Sequence, residues 1–108
     1  MHIIKKEGKK NMDGIYETTI NTPMGPINGR VTLKTNGNEL NGIIETMGMK
    51  NAITGGRVSG NTCAFSGTIQ NNMINITYDI KGELRGNILY VHAKTNMGEF
   101  QLQGKKVG

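Results

Sequence analysis

Ile74-Asn75-Ile76-Thr77-Tyr78-Asp79-Ile80-Lys81-Gly82-Glu83-Leu84-Arg85 is the stretch whose reading decides the fold. Ile74, Ile76, Tyr78, Ile80 and Leu84 alternate with Asn75, Thr77, Asp79, Lys81, Glu83 and Arg85. A strand sends successive side chains to opposite faces, so this period of two marks a strand with one buried face. The same alternation recurs on either side. Ile27, Val31 and Leu33 alternate with Asn28, Arg30, Thr32 and Lys34, and Cys63, Phe65 and Ile69 with Thr62, Ala64, Ser66 and Thr68. Leu40 and Ile44 follow suit, with Ile43 on the opposite face.

The turns between these strands repeat. Met24, Met47, Met73 and Met97 each sit in a short turn, spaced 23, 26 and 24 residues apart. Each turn leads into an apolar-x-Gly strand: Ile27-Asn28-Gly29, Ile53-Thr54-Gly55, Ile80-Lys81-Gly82 and Leu102-Gln103-Gly104. Gly37-Asn38, Gly60-Asn61 and Gly86-Asn87 then reverse the chain. Glycine at the first central position of a two-residue loop gives a turn whose twist matches antiparallel strands. With a first strand at 14–22, the others fall near 27–35, 39–46, 50–59, 62–70, 73–85, 87–95 and 98–107. The chain is therefore expected to be all-β: a single up-and-down antiparallel barrel of about eight strands, built from a repeated two-strand unit. A two-sheet sandwich would need crossovers that these short turns do not supply.

Composition agrees. A length of 108 residues suits one domain, and 16 glycines, each costly inside a helix, argue against a helical protein. The net charge of +5 comes largely from Lys5, Lys6, Lys9, Lys10, Lys105 and Lys106, near the two ends. Residues 1–12 are expected to form a basic, mobile arm and residues 13–108 the barrel domain. Such an arm is more commonly solvated than bound to nucleic acid. An aromatic content of 5% also argues against a base-stacking surface. The lone cysteine, Cys63, forbids an internal disulfide, and no secretory h-region or membrane-length apolar run occurs. A cytoplasmic protein with no membrane association is expected.

Residues for chemistry are sparse. His2, Cys63 and His92 show no metal-ligand spacing. Cys63 shares the inward face with Phe65, where a thiol is inert, and His92 is expected to face outward. The carboxylates fall mainly on polar faces, so no inward pair is available for acid–base work. The glycine turns join strand to strand, with no helix N-terminus to hold phosphate. A non-enzyme without a cofactor is expected.

Gly29, Gly42, Gly67, Gly82 and Gly104 all lie on the inward face. They either let a small barrel coil or leave room for a ligand. Gly55-Gly56 and Gly104-Lys105-Lys106-Val107 shift the alternation and are expected to be β-bulges. If the strands run up and down, the methionine turns gather at one end, as a plug or as an adaptable apolar patch. Phe65, Tyr78, Met24, Met47, Met73 and Met97 are the candidate ligand-binding residues.

Thr22-Pro23-Met24-Gly25-Pro26-Ile27-Asn28-Gly29, Ser59-Gly60-Asn61 and Thr95-Asn96-Met97-Gly98-Glu99-Phe100 resemble small β-barrel domains of anaerobic bacteria. Such domains stand alone or are appended to flavin-dependent oxidoreductases. The layout is also similar to lipocalin-like, or calycin, barrels, without their Gly-x-Trp signature, since the chain has no Trp. The resemblance implies a non-catalytic module that docks on a partner protein, such as a flavin-dependent oxidoreductase, through the methionine-rich end. The alternative is a lipocalin-like carrier or sensor holding a small apolar molecule inside the barrel.

Overall fold

A computed structural model describes residues 12–22, 25–46, 48–70 and 75–108. Eight strands follow one another: β1 (Gly14–Thr22), β2 (Gly25–Asn36), β3 (Glu39–Thr46), β4 (Met49–Ser59), β5 (Thr62–Gln70), β6 (Asn75–Arg85), β7 (Ile88–Thr95) and β8 (Gly98–Lys106). Each pairs antiparallel with the next, and β1 pairs with β8, so the sheet is a closed up-and-down barrel. Among the described residues there is no helix. β2 begins two residues earlier than the alternation indicates, because Gly25 and Pro26 pair with Thr22 and Asn21. Positions 73 and 74 of the sixth expected strand lie outside the described residues, as do residues 1–11 of the basic arm.

The Gly-Asn turns do more than reverse the chain. Gly37, Gly60 and Gly86 take φ of 63°, 59° and 61°, values that tight hairpins require and that only glycine adopts without strain. The asparagine carbonyl of each turn then accepts a hydrogen bond from a residue on or beside the strand after next. Val58 N–H donates to Asn38 at 2.9 Å, Leu84 N–H to Asn61 at 2.8 Å and Lys106 N–H to Asn87 at 2.8 Å. The Asn61 side chain adds a bond to the Leu84 carbonyl at 3.0 Å. On β1 the final residues take this part: Ile15 N–H donates to the Gly108 carbonyl and Val107 N–H to the Ile15 carbonyl. This end of the barrel is laced shut.

Pairing is unequal around the circle. β1 meets β8 through three residue pairs, from Tyr16–Lys106 to Thr18–Gly104, and β4 meets β5 through three, from Arg57–Ala64 to Ser59–Thr62. The other neighbours pair along most of their length, β5 with β6 for example from Thr62–Glu83 to Gln70–Asn75. Both short seams lie at the Gly-Asn end. Toward the opposite end the ladder stops, and two four-stranded sheets, β1–β4 and β5–β8, face each other unpaired at these edges.

One seam ends at a bulge. Leu40 pairs with Gly56 but Gly42 pairs with Ile53, so β4 carries one extra residue. Gly55 sits there with φ of 71°, the left-handed geometry that such bulges use. The expectation at Gly55-Gly56 is met. The expected bulge over residues 104–107 is not: β8 keeps one register against β7 and β1 through Lys105 and Lys106. Lys106 takes the inward-parity position, its stem lying against Gly14, and Val107 is 51% exposed. A lysine stem can cover apolar surface while its ammonium reaches water, which explains the misleading polarity. Lys105 and Lys106 are thus part of the barrel wall, not of a terminal extension.

The core fills the laced end. Met12, Tyr16, Leu33, Leu40 and Ile53 are at most 1% exposed, and Leu84 and Leu89 join them. Burying each such side chain contributes about 1.5–3 kcal/mol. Met12 therefore belongs to the domain and not to the arm. The Tyr16 hydroxyl donates to its carbonyl at 2.9 Å, and Asp13 accepts from both the N–H and the hydroxyl of Thr35.

The inward glycines are covered rather than vacant. The Tyr78 ring lies over Gly67, Leu89 and the Cys63 sulfur approach Gly82, and Tyr16 and Leu89 flank Gly104. A Cβ on Gly42 would overlap the Thr32 backbone carbonyl of the adjoining strand. Gly42→Ala should therefore destabilise by more than about 2 kcal/mol, while Gly82→Ala, facing movable side-chain ends, should cost less than about 1 kcal/mol. Urea unfolding of the two variants checks this, and equal costs would contradict it.

Candidate functional site

Above the laced core the interior is hollow. A cavity of about 400 Å³ extends from Tyr16, Leu33 and Leu89 toward Thr46, Met97 and Phe100 at the other end. Its walls are mainly aliphatic: Ile20 from β1, Ile27 and Val31 from β2, Ile44 from β3, Ile69 from β5, Ile76 and Ile80 from β6, Val91 from β7 and Leu102 from β8. Among the described residues no charged one lines it. The lining follows directly from strand alternation, since each of these residues shares the inward parity of its strand. The unpaired edges of the short seams, β1 beyond Thr18 and β4 beyond Arg57, lie in this same half of the barrel.

The outer surface is the opposite. Glu17 and Arg30 pair at 3.0 Å, Glu45 and Lys50 at 3.5 Å, and Glu83 and Arg85 at 3.1 Å. His92 faces outward as expected and meets Glu99 at 3.1 Å. An apolar interior beneath a charged exterior inverts the arrangement of a lipid-embedded barrel. A shallow groove of about 700 Å³ crosses this outer face beside Lys81, Tyr90 and His92, broadly open to solvent.

Of the sequence-derived candidates, Phe65 and Tyr78 come together. Both are 7% exposed, both line the cavity, and their rings meet edge to face at 6.2 Å. Met97 also lines the cavity, at its rim, and is 69% exposed. Met24, Met47 and Met73 lie outside the described residues. The candidates omitted the aliphatic lining and Phe100, 43% exposed beside Met97 at the rim. Alternation placed the isoleucines inward, but nothing in it distinguishes a wall residue from a packed core residue. Tyr16, Tyr78 and Tyr90 are the hydroxyls that the sequence offers to a ligand; Tyr16 and Tyr78 line the cavity and Tyr90 does not.

The inward ionisable groups are held neutral. Burial raises the Cys63 thiol from 9.0 to about 11, opposed in part by a backbone hydrogen bond at Gly82. Burial raises Tyr16 from 10.0 to about 12, helped by Cys63 and Asp13, and pushes Tyr78 upward too. A thiol so shielded is a poor nucleophile. Among the described residues no three of His, Cys, Asp or Glu converge as metal ligands.

Because these groups ionise later in the folded chain, the unfolded chain loses protons first as pH rises. Their contribution to stability is present in full below pH 9 and is lost as pH rises through about 11 for Cys63 and about 12 for Tyr16. Urea midpoints should accordingly decline above pH 9. Cys63→Ala should delay the onset toward pH 10, where Tyr16 begins to act. An unchanged onset in the variant would contradict the assignment. Comparisons with protein-family models, curated proteins and solved structures return no match, so the geometry of the barrel carries the functional reading.

Proposed function

We propose that this protein binds a small apolar molecule inside its barrel, as a carrier or sensor, and takes it up at the end opposite the Gly-Asn turns. The observation that carries this reading is the cavity of about 400 Å³, whose described lining residues are all uncharged. Ligand pockets commonly measure about 300–1,000 Å³ and are mostly apolar with few polar groups, so size and chemistry both fit. The ordered core at the laced end supports a fixed floor, and the unpaired seam edges provide a route that need not break any ladder. Met97 and Phe100 at the rim supply adaptable and aromatic surface for a molecule in transit.

A second reading is docking of a partner protein, such as a flavin-dependent oxidoreductase, on the same rim. The exposure of Met97 and Phe100 favours it. The two readings part on what the interior does.

Diphenylhexatriene, a hydrocarbon that fluoresces in apolar surroundings, should bind at one site per chain. Ala93 is 7% exposed and lines the cavity, so Ala93→Phe should fill the space and weaken uptake at least about tenfold while the chain stays folded. Absence of stoichiometric uptake by the parent protein would overturn the interior-binding reading and leave docking. Uptake indifferent to Ala93→Phe would place the probe elsewhere.

A further inference from the structure

Of the hydroxyls that line the cavity, those of Tyr16, Thr46 and Thr95 are satisfied, and those of Thr18 and Tyr78 make no hydrogen bond among the described residues, Tyr78 being the more deeply buried of the two. Tyr16 donates to the Met12 carbonyl at 2.9 Å, Thr46 to the Asn28 carbonyl at 3.3 Å, and Thr95 to the Gly98 carbonyl at 2.8 Å. Tyr78 is buried to the same degree as Phe65 beside it, yet its hydroxyl makes no hydrogen bond among the described residues. Its position is enforced. Gly67, directly opposite on β5, has no side chain, and the ring occupies that vacancy with its hydroxyl 2.5 Å from where a Cβ would stand. Buried hydroxyls are almost always hydrogen-bonded, and one left unpaired is costly. The exceptions call for a partner.

We infer that the interior ligand carries a hydrogen-bond acceptor that seats against the Tyr78 hydroxyl, which makes it a neutral, largely apolar molecule with a carbonyl-type oxygen. This rests on the interior-binding reading above. Neutrality follows from the lining: among the described residues no cationic side chain lines the cavity, and an unpaired carboxylate there would lose its hydration without compensation. A pure hydrocarbon would fill the space but leave the hydroxyl unmet. A ligand with one acceptor satisfies it and gains orientation, with its apolar body among Ile69, Ile76 and Ile80. The burial that raises the phenol's pKa keeps it protonated, and hence a donor, throughout the neutral range.

Two fluorescent probes separate the ideas: prodan, a naphthyl ketone whose emission moves to the red when its carbonyl accepts a hydrogen bond, and diphenylhexatriene, which has no acceptor. Both should bind the parent protein once per chain. Tyr78→Phe should weaken prodan about three- to tenfold, the loss of one hydrogen bond, and move its emission to the blue. Diphenylhexatriene affinity should stay within about twofold, since the cavity keeps its shape. Prodan bound to the parent should also emit to the red of prodan in dry hydrocarbon, a result that does not depend on the variant folding. Hydrocarbon-like emission in the parent, or prodan affinity unchanged by Tyr78→Phe, would overturn the acceptor seat while leaving interior binding intact. Failure of the parent to take up either probe would overturn both.

Discussion

The structure depends on one constraint: the circle of strands is hydrogen-bonded shut at only one end. Three asparagine carbonyls, at Asn38, Asn61 and Asn87, reach across to the strand after next, and both sheet-to-sheet seams lie close by. Tyr16, Leu33, Leu40 and Ile53 pack against this closure. Away from it, β1 leaves β8 beyond Thr18, and β4 leaves β5 beyond Arg57, just before the bulge at Gly55. A barrel of eight strands has an interior that side chains can fill or that can hold one small molecule. Here the interior is packed beside the closure and hollow beyond it.

The glycines serve this geometry by close approach. Gly42 brings β3 against the Thr32 carbonyl, and Gly67 yields its place to the Tyr78 ring. Removing side chains at these points tightens the wall locally and does not by itself hollow the interior. The hollow is lined by inward residues of β1, β2, β3, β5, β6, β7 and β8. Wall-forming glycines and a cavity are therefore not competing explanations, since Gly29 and Gly82 are themselves part of the cavity lining.

Much of this architecture was legible in the sequence. The alternation from Ile76 to Leu84 and the Gly-Asn pairs foretold strand number, order and the inward positions of Phe65 and Tyr78, because period-two patterning and turn chemistry are local properties. The bulge at Gly55-Gly56 was legible for the same reason. Residues 104–107 misled because Lys106 uses its stem as an apolar residue would, a choice set by the neighbouring Gly14. The burial of Met12 is not legible from the basic residues before it: its carbonyl takes the Tyr16 hydroxyl, and the adjoining Asp13 is tied to Thr35 on β2, 22 residues on. The cavity was not legible: how far two seams remain paired is a property of the whole sheet. The unmet Tyr78 hydroxyl is likewise visible only once Gly67 is known to lie opposite it.

The central claim, an apolar hollow above a laced floor, is most directly tested by xenon, which enters dry apolar cavities and shifts the NMR signals of the methyl groups it touches. The account predicts saturable shifts at the methyls of Ile20, Ile69, Ile76 and Ile80, which line the cavity, and none at Ile53 in the packed floor or at outward-facing Ile43. A spectrum in which no methyl responds, or in which Ile43 and Ile53 respond as strongly as Ile76 and Ile80, would contradict it.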